Sequence, residues 1–190
     1  MQYSWKELYA QLDGCRRCPL CEHRTNIAIG EGDPHALVMF VGEGPGGEED
    51  RLGRPFVGPA GKLLDKMLAA IDVKRESVYI ANIVKCRPPG NRTPAPEEAE
   101  ACLPFLRAQT ALVAPKIIVC LGAVAAKYIY SPEVRISRER GKWIEKKGVW
   151  ILPTYHPAAL LRDESKKREA WEDFKSLKLR IESIADERIR

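Results

Sequence analysis

Four apolar runs punctuate the chain, each ending at a polar or glycine-rich break: Ala36–Glu43, Val78–Lys85, Lys116–Gly122 and Val149–Thr154. Near-continuous Val, Ile and Leu over such lengths suits strands buried on both faces of a parallel sheet. Helical periodicity fills the intervals. Trp5, Leu8, Tyr9 and Leu12 mark a short helix over residues 1–13, and Leu63, Leu64, Met67, Leu68 and Ile71 mark one over Gly58–Ile71. Pro96–Val113 opens with Pro and Glu, which favour a helix start. Gly122–Ile129 is a short helical candidate. Asp163–Ile184 carries Trp171, Phe174, Leu177 and Ile181 at three-to-four spacing. Strands alternating with helices predict an α/β fold: a three-layer α/β/α sandwich around a central four-stranded parallel sheet, as a single domain over residues 1–190.

Ligands of such sheets bind outside the carboxyl ends of the strands. That rule selects Gly42–Asp50, Asn82–Arg87, Gly122 and Thr154–Arg162 for closer reading. The first strand runs into Gly42-Glu43-Gly44-Pro45-Gly46-Gly47-Glu48-Glu49-Asp50, where glycines let backbone approach a ligand. No Gly-Lys-Ser/Thr follows, so it is not a P-loop, and its acidic residues would repel a pyrophosphate. Gly53-Arg54-Pro55-Phe56-Val57-Gly58 sets an aromatic in a loop before a helix, as a stacking platform or a core plug. Asn82 stands in apolar surroundings with an amide that could read a base edge or tie down local backbone. The fourth strand ends in Tyr155-His156-Pro157, and His156 is one of only three histidines.

The chain's 190 residues suffice for one domain with a substantial core. Its net charge of +5 is compatible with a polyanionic partner without demanding one. No apolar run approaches the roughly 20 residues that span a bilayer, and the first residues lack the pattern of a signal peptide. The expectation is a cytoplasmic protein without a membrane partner. Six cysteines in that setting point to metal or redox chemistry rather than disulfides. Cys15, Cys18 and Cys21 form a Cys-x₂-Cys-x₂-Cys run, while Cys86 and Cys102 lie further on. Two pairs could give four thiolates to zinc or to an iron–sulfur cluster. Spacing selects neither the metal nor the spare member of the triplet. Cys120, inside an apolar run, is expected to be an ordinary buried residue.

Taken in order, these pieces resemble the family 4 uracil-DNA glycosylases, the thermophile type with a four-iron cluster. The resemblance covers nearly the whole chain. It rests on Gly42-Glu43-Gly44-Pro45-Gly46, on Gly53-Arg54-Pro55-Phe56-Val57-Gly58, on Asn82-Ile83-Val84-Lys85-Cys86-Arg87-Pro88-Pro89 with Asn91-Arg92, and on His156-Pro157 with Leu161-Arg162. The family commonly has Ala where this chain has Gly44. The resemblance implies a 4Fe-4S cluster on Cys15, Cys18, Cys86 and Cys102, with Cys21 a bystander. It implies that Glu43 lies near the attacking water, that Phe56 stacks on uracil, that Asn82 reads its edge and that His156 bonds its O2. Gly42 and Gly44 belong to the same substrate loop.

The chemistry expected of these residue types agrees. A glycosylase must flip its base out of the stack. The pocket then needs an aromatic platform, an amide reader and a donor where negative charge develops. Glu49 is the candidate for rejecting a 5-methyl group. Leu160 or Leu161 is the candidate wedge for the gap in the stack, and Arg162 and Lys62 the candidate phosphate contacts. The expected partner is uracil-containing DNA, single- or double-stranded, acted on by a monomer. Two alternatives are a relative that traps uracil-DNA covalently through an inserted His and a cluster-bearing binding module. Arg87–Glu98 contains no His or insertion, which disfavours the first. The presence of Glu43, Asn82 and His156 argues against the second.

Overall fold

The computed structural model describes residues 4–187. Its elements are α1 (Trp5–Leu12), β1 (Glu31–Gly32), β2 (Val38–Gly42), α2 (Gly47–Leu52), α3 (Pro59–Ala69), β3 (Tyr79–Asn82), α4 (Pro96–Val113), β4 (Ile117–Leu121), α5 (Ala123–Ile129), α6 (Ile136–Glu139), β5 (Ile144–Lys146), β6 (Val149–Thr154), α7 (Pro157–Arg162) and α8 (Lys167–Glu187). Local chemistry sets several boundaries. Ser4 and Glu7 form a reciprocal capping box at the start of α1. Pro59 and Pro96 open α3 and α4, where a missing N–H costs nothing.

The sheet order is β1-β3-β2-β4-β6-β5. The four predicted strands are its inner members and run parallel, with Phe40 opposite both Ile80 and Val119. Around this predicted four-stranded parallel core, β1 and β5 add antiparallel edges, making six strands among the described residues. These strands of two and three residues bury little and carry no apolar run.

Side chains alternate between two cores, as the pleat requires. Met39, Val41, Ala81, Ile118 and Cys120 face α1, α4 and α5. Val38, Phe40, Ile80, Val119 and Leu152 face Leu64 and Leu68 of α3 and Phe174 and Leu177 of α8. The layers are thus α/β/α. The inner strands end side by side at Gly42, Asn82, Leu121 and Thr154. Whatever follows these residues converges on one edge of the sheet. No described helix is long and apolar enough to cross a membrane.

Candidate active site and cysteine cavity

A cleft of about 370 Å³ opens at that edge, within the range of small-molecule sites. Glu43, Gly44, Glu49, Phe56, Asn82, His156 and Arg162 line it, together with the Pro88–Thr93 loop. Five separate chain segments therefore meet in one place.

Asn82 is 1% exposed, and its Oδ1 is buried with no hydrogen-bond partner among the described residues. A buried acceptor left unmatched costs stability. Here it lies in the wall of a cleft, where a ligand can supply the missing donor. Gly42 makes room for it. A Cβ on Gly42 would lie 2.5 Å from Asn82 Oδ1 and 2.6 Å from Phe56 Cζ, so only glycine lets both side chains crowd the end of β2.

Phe56 has φ +53°, a left-handed conformation that is strained for an aromatic residue. Both flanks pin it there. Arg75 donates to the Pro55 carbonyl at 2.7 Å, and the Val57 and Gly58 N–H groups donate to Glu49 Oε1 at 3.0 and 2.8 Å. The ring is buried at the cleft wall, its centroid 5.5 Å from that of His156.

The N–H of Ala158 donates to His156 Nδ1 at 3.1 Å. The first turn of α7 thus fixes the tautomer and leaves Nε2 as the ring's donor. Burial and the nearby Arg162 push the imidazole down to about 4, so it is neutral at pH 7. Glu43 is half-buried. Burial raises its carboxyl above the usual range, against the opposing pull of the Thr93 hydroxyl and Arg162.

The N-terminal cysteines meet the later pair behind this cleft. Cys15, Cys18, Cys21, Cys86 and Cys102 all line one small cavity, together with Leu12, Ile27, Ala101 and Phe105. Arg24 Nη1 donates to the Cys15 carbonyl at 2.7 Å and to Cys86 Sγ at 3.3 Å. Among the described residues, no three His, Cys, Asp or Glu side chains are grouped as a metal site. Burial pushes the Cys86 thiol up to about 11 and raises Cys18 and Cys102 too, so metal uptake must displace protons.

Residues 29–175 match the family model described as "Uracil DNA glycosylase superfamily". A type-4 uracil-DNA glycosylase of Thermotoga maritima is 48% identical over 86% of this chain and 88% of its own. The chain belongs to the type-4 uracil-DNA glycosylase family. Type-4 relatives from Sulfurisphaera tokodaii and Archaeoglobus fulgidus are 45% and 44% identical, each over 92% of this chain and over 84% and 92% of their own.

The remaining expected site residues have distinct surroundings. Glu49, the candidate for rejecting a 5-methyl group, lines the cleft, and its oxygens accept from the backbone of Gly46, Val57 and Gly58. It braces the loops on either side of the cleft. Leu160 is 1% exposed and packs with Tyr155 and Ala170, so it is unavailable as a wedge; Leu161 is 47% exposed. Lys62, the other candidate phosphate contact, is exposed on the first turn of α3, outside the cleft lining and in the field of Glu48, so it stays accessible to DNA. Cys120 is fully buried in β4, as expected. A Cβ on Gly44 would lie 2.7 Å from Val84 Cγ2, so Val84 fills the space an alanine methyl would need. Sequence reasoning missed Thr93 and α7. The density of Pro, Gly and Asn in residues 88–94 signalled a loop, but nothing in it signalled a wall of the site. The cysteine donor set fits an iron–sulfur cluster: soft thiol ligands around one small cavity, with a cationic donor on one sulfur.

Proposed function

We infer that this protein is a uracil-DNA glycosylase that takes a flipped uracil into the cleft and hydrolyses its N-glycosidic bond, the opening step of base excision repair. The observation that carries the assignment is the buried Oδ1 of Asn82, without a partner among the described residues, at the wall of a cleft that also holds Phe56 and His156. Uracil presents an N3–H donor beside an O4 acceptor. The Asn82 amide offers the matching acceptor and donor. Cytosine reverses both, leaving a buried amide mispaired.

In this reading Phe56 stacks on the pyrimidine, held ready by its strained loop. As the bond breaks, negative charge moves onto the leaving base. The His156 Nε2–H donates to O2, where that charge develops, and a neutral donor fixed beforehand needs no reorganisation. Glu43, kept basic by its burial, holds the attacking water. Arg162 and Lys62 meet phosphates, and Leu161 fills the gap left in the stack. Cys15, Cys18, Cys86 and Cys102 would hold a 4Fe-4S cluster, with Cys21 beside it. Bound there, the cluster supplies a tether joining the N-terminal segment to the loop after β3 and to α4, so that the N-terminal segment and the sheet act as one domain.

The test uses matched oligonucleotides, single- and double-stranded, carrying one uracil, thymine or cytosine, with free base measured directly. Uracil should appear in proportion to abasic sites from the uracil strands, and nothing from the others. Tight binding of uracil-DNA without free uracil would overturn the enzyme assignment in favour of a binding module.

A further inference from the structure

Lys85 is the one lysine among the described residues that is fully buried, at 1% exposure, and within those residues it forms no salt bridge. A buried ammonium without an anion is costly. Its surroundings name the partner it lacks. The side chain lines the cysteine cavity beside Cys86 and Cys102, and the Cys102 sulfur lies in the field of the ammonium and against the Lys85 backbone N–H. On its other side, Lys85 Nζ donates to the backbone carbonyl of Asn82 at 2.7 Å.

The turn from Asn82 to Lys85 is therefore the short wall between two sites. Its backbone is clamped: the Ile83 N–H donates to the Gly42 carbonyl at 2.9 Å, the Val84 N–H to the Glu43 carbonyl at 3.1 Å, and the Ala28 N–H to the Lys85 carbonyl at 2.9 Å. Asn82 opens the turn in the cleft, and Cys86 follows it in the cavity. The Lys85 side chain folds back across the turn and holds its first carbonyl.

We propose that Lys85 is a positioning residue that ties the base-reading amide of Asn82 to the occupied cysteine cavity. Four thiolates around an iron–sulfur core carry net negative charge, which supplies the anion the buried ammonium lacks. Balanced in this way, Lys85 fixes the carbonyl of Asn82 and hence the angle at which its amide meets the base. The cavity then contributes to base recognition as well as to tethering. The substrate half of this proposal rests on the function inferred above.

The test compares Lys85→Met, which keeps the unbranched stem, with Lys85→Arg, which keeps the charge, both as purified iron-loaded protein. Iron per chain, cluster reduction potential, DNA affinity and single-turnover uracil release are measured together. Lys85→Met should retain iron, move the potential to more negative values and slow uracil release roughly tenfold at unchanged DNA affinity, the scale of losing one hydrogen bond. Lys85→Arg should recover most of the potential and of the rate. A Met variant with unaltered potential would remove Lys85 from the field of the cluster, and one with unaltered rate would remove its hold on Asn82. Should the Met variant fail to hold iron, the Arg variant decides: iron lost there as well would mean that shape and not charge matters, which overturns the proposal. Iron-loaded wild type that frees no uracil would defeat the inferred function instead, while the potential still tests the cavity half.

Discussion

His156 donates from Nε2 because its Nδ1 is occupied by the Ala158 N–H. Burial pushes its pKa down to about 4, so the imidazole is neutral at pH 7. The rate on uracil-DNA should therefore show no step near pH 6.5, the ordinary histidine value. A step there in a single-turnover pH profile would mean that a cationic imidazole does the work. Stability has the opposite sensitivity. The fold holds the imidazole neutral, whereas the unfolded chain takes up a proton below about 6.5. This contribution is therefore present above 6.5 and is lost as pH falls toward about 4, visible as a decline in melting temperature. His156→Ala should lower the single-turnover rate by roughly 10²–10³-fold, the scale of losing one donor to a developing oxyanion. A folded variant with wild-type rate would end this role. The residue types of the site were legible in the sequence, since an amide, an aromatic and an imidazole each followed a strand or opened a loop. Their states were not: the empty valence of Asn82 Oδ1 and the fixed tautomer of His156 depend on neighbours that no local pattern encodes.

At the scale of elements, α7 separates two leucines that sequence could not tell apart. Adjacent helical positions lie about 100° apart around the axis, so Leu160 turns into the core and Leu161 turns out. Leu160→Ala should cost about 2–5 kcal/mol of stability, the range for truncating a buried leucine. Leu161→Ala should leave melting nearly unchanged yet reduce activity on duplex more than on single-stranded substrate. Equal loss on both substrates would mean that Leu161 does not wedge the stack. The same limit explains which elements were legible. The four inner strands carry apolar side chains on both faces and announce themselves as runs. The edges β1 and β5 are short and half-exposed, and α2, α6 and α7 span only four to six residues. A window that short holds too few turns for periodicity to register.

Across the whole molecule, one edge of the sheet and one cavity behind it divide the work. The cleft gathers Gly42–Glu49, Phe56, Asn82 and His156, while the cavity joins cysteines of the N-terminal segment to those after β3 and on α4. The purified protein should be brown and carry about four irons per chain. Cys86→Ala should lose iron and solubility together. Cys21→Ala should keep both, although Cys21 also lines the cavity; iron analysis that reverses these two outcomes would exchange the ligands. Colourless protein with stoichiometric zinc would contradict the cluster altogether. The most direct test of the account is Asn82→Asp, assayed under single turnover on uracil- and cytosine-containing strands at matched iron content and melting temperature. A carboxylate cannot donate to O4 but can accept from the cytosine amino group. Uracil release should fall by roughly 10–100-fold, equivalent to the 1–3 kcal/mol of one mispaired buried group, and the preference for uracil over cytosine should shrink. Unchanged uracil release and unchanged preference in a stable, iron-loaded Asn82→Asp protein would contradict the claim that this amide reads the base.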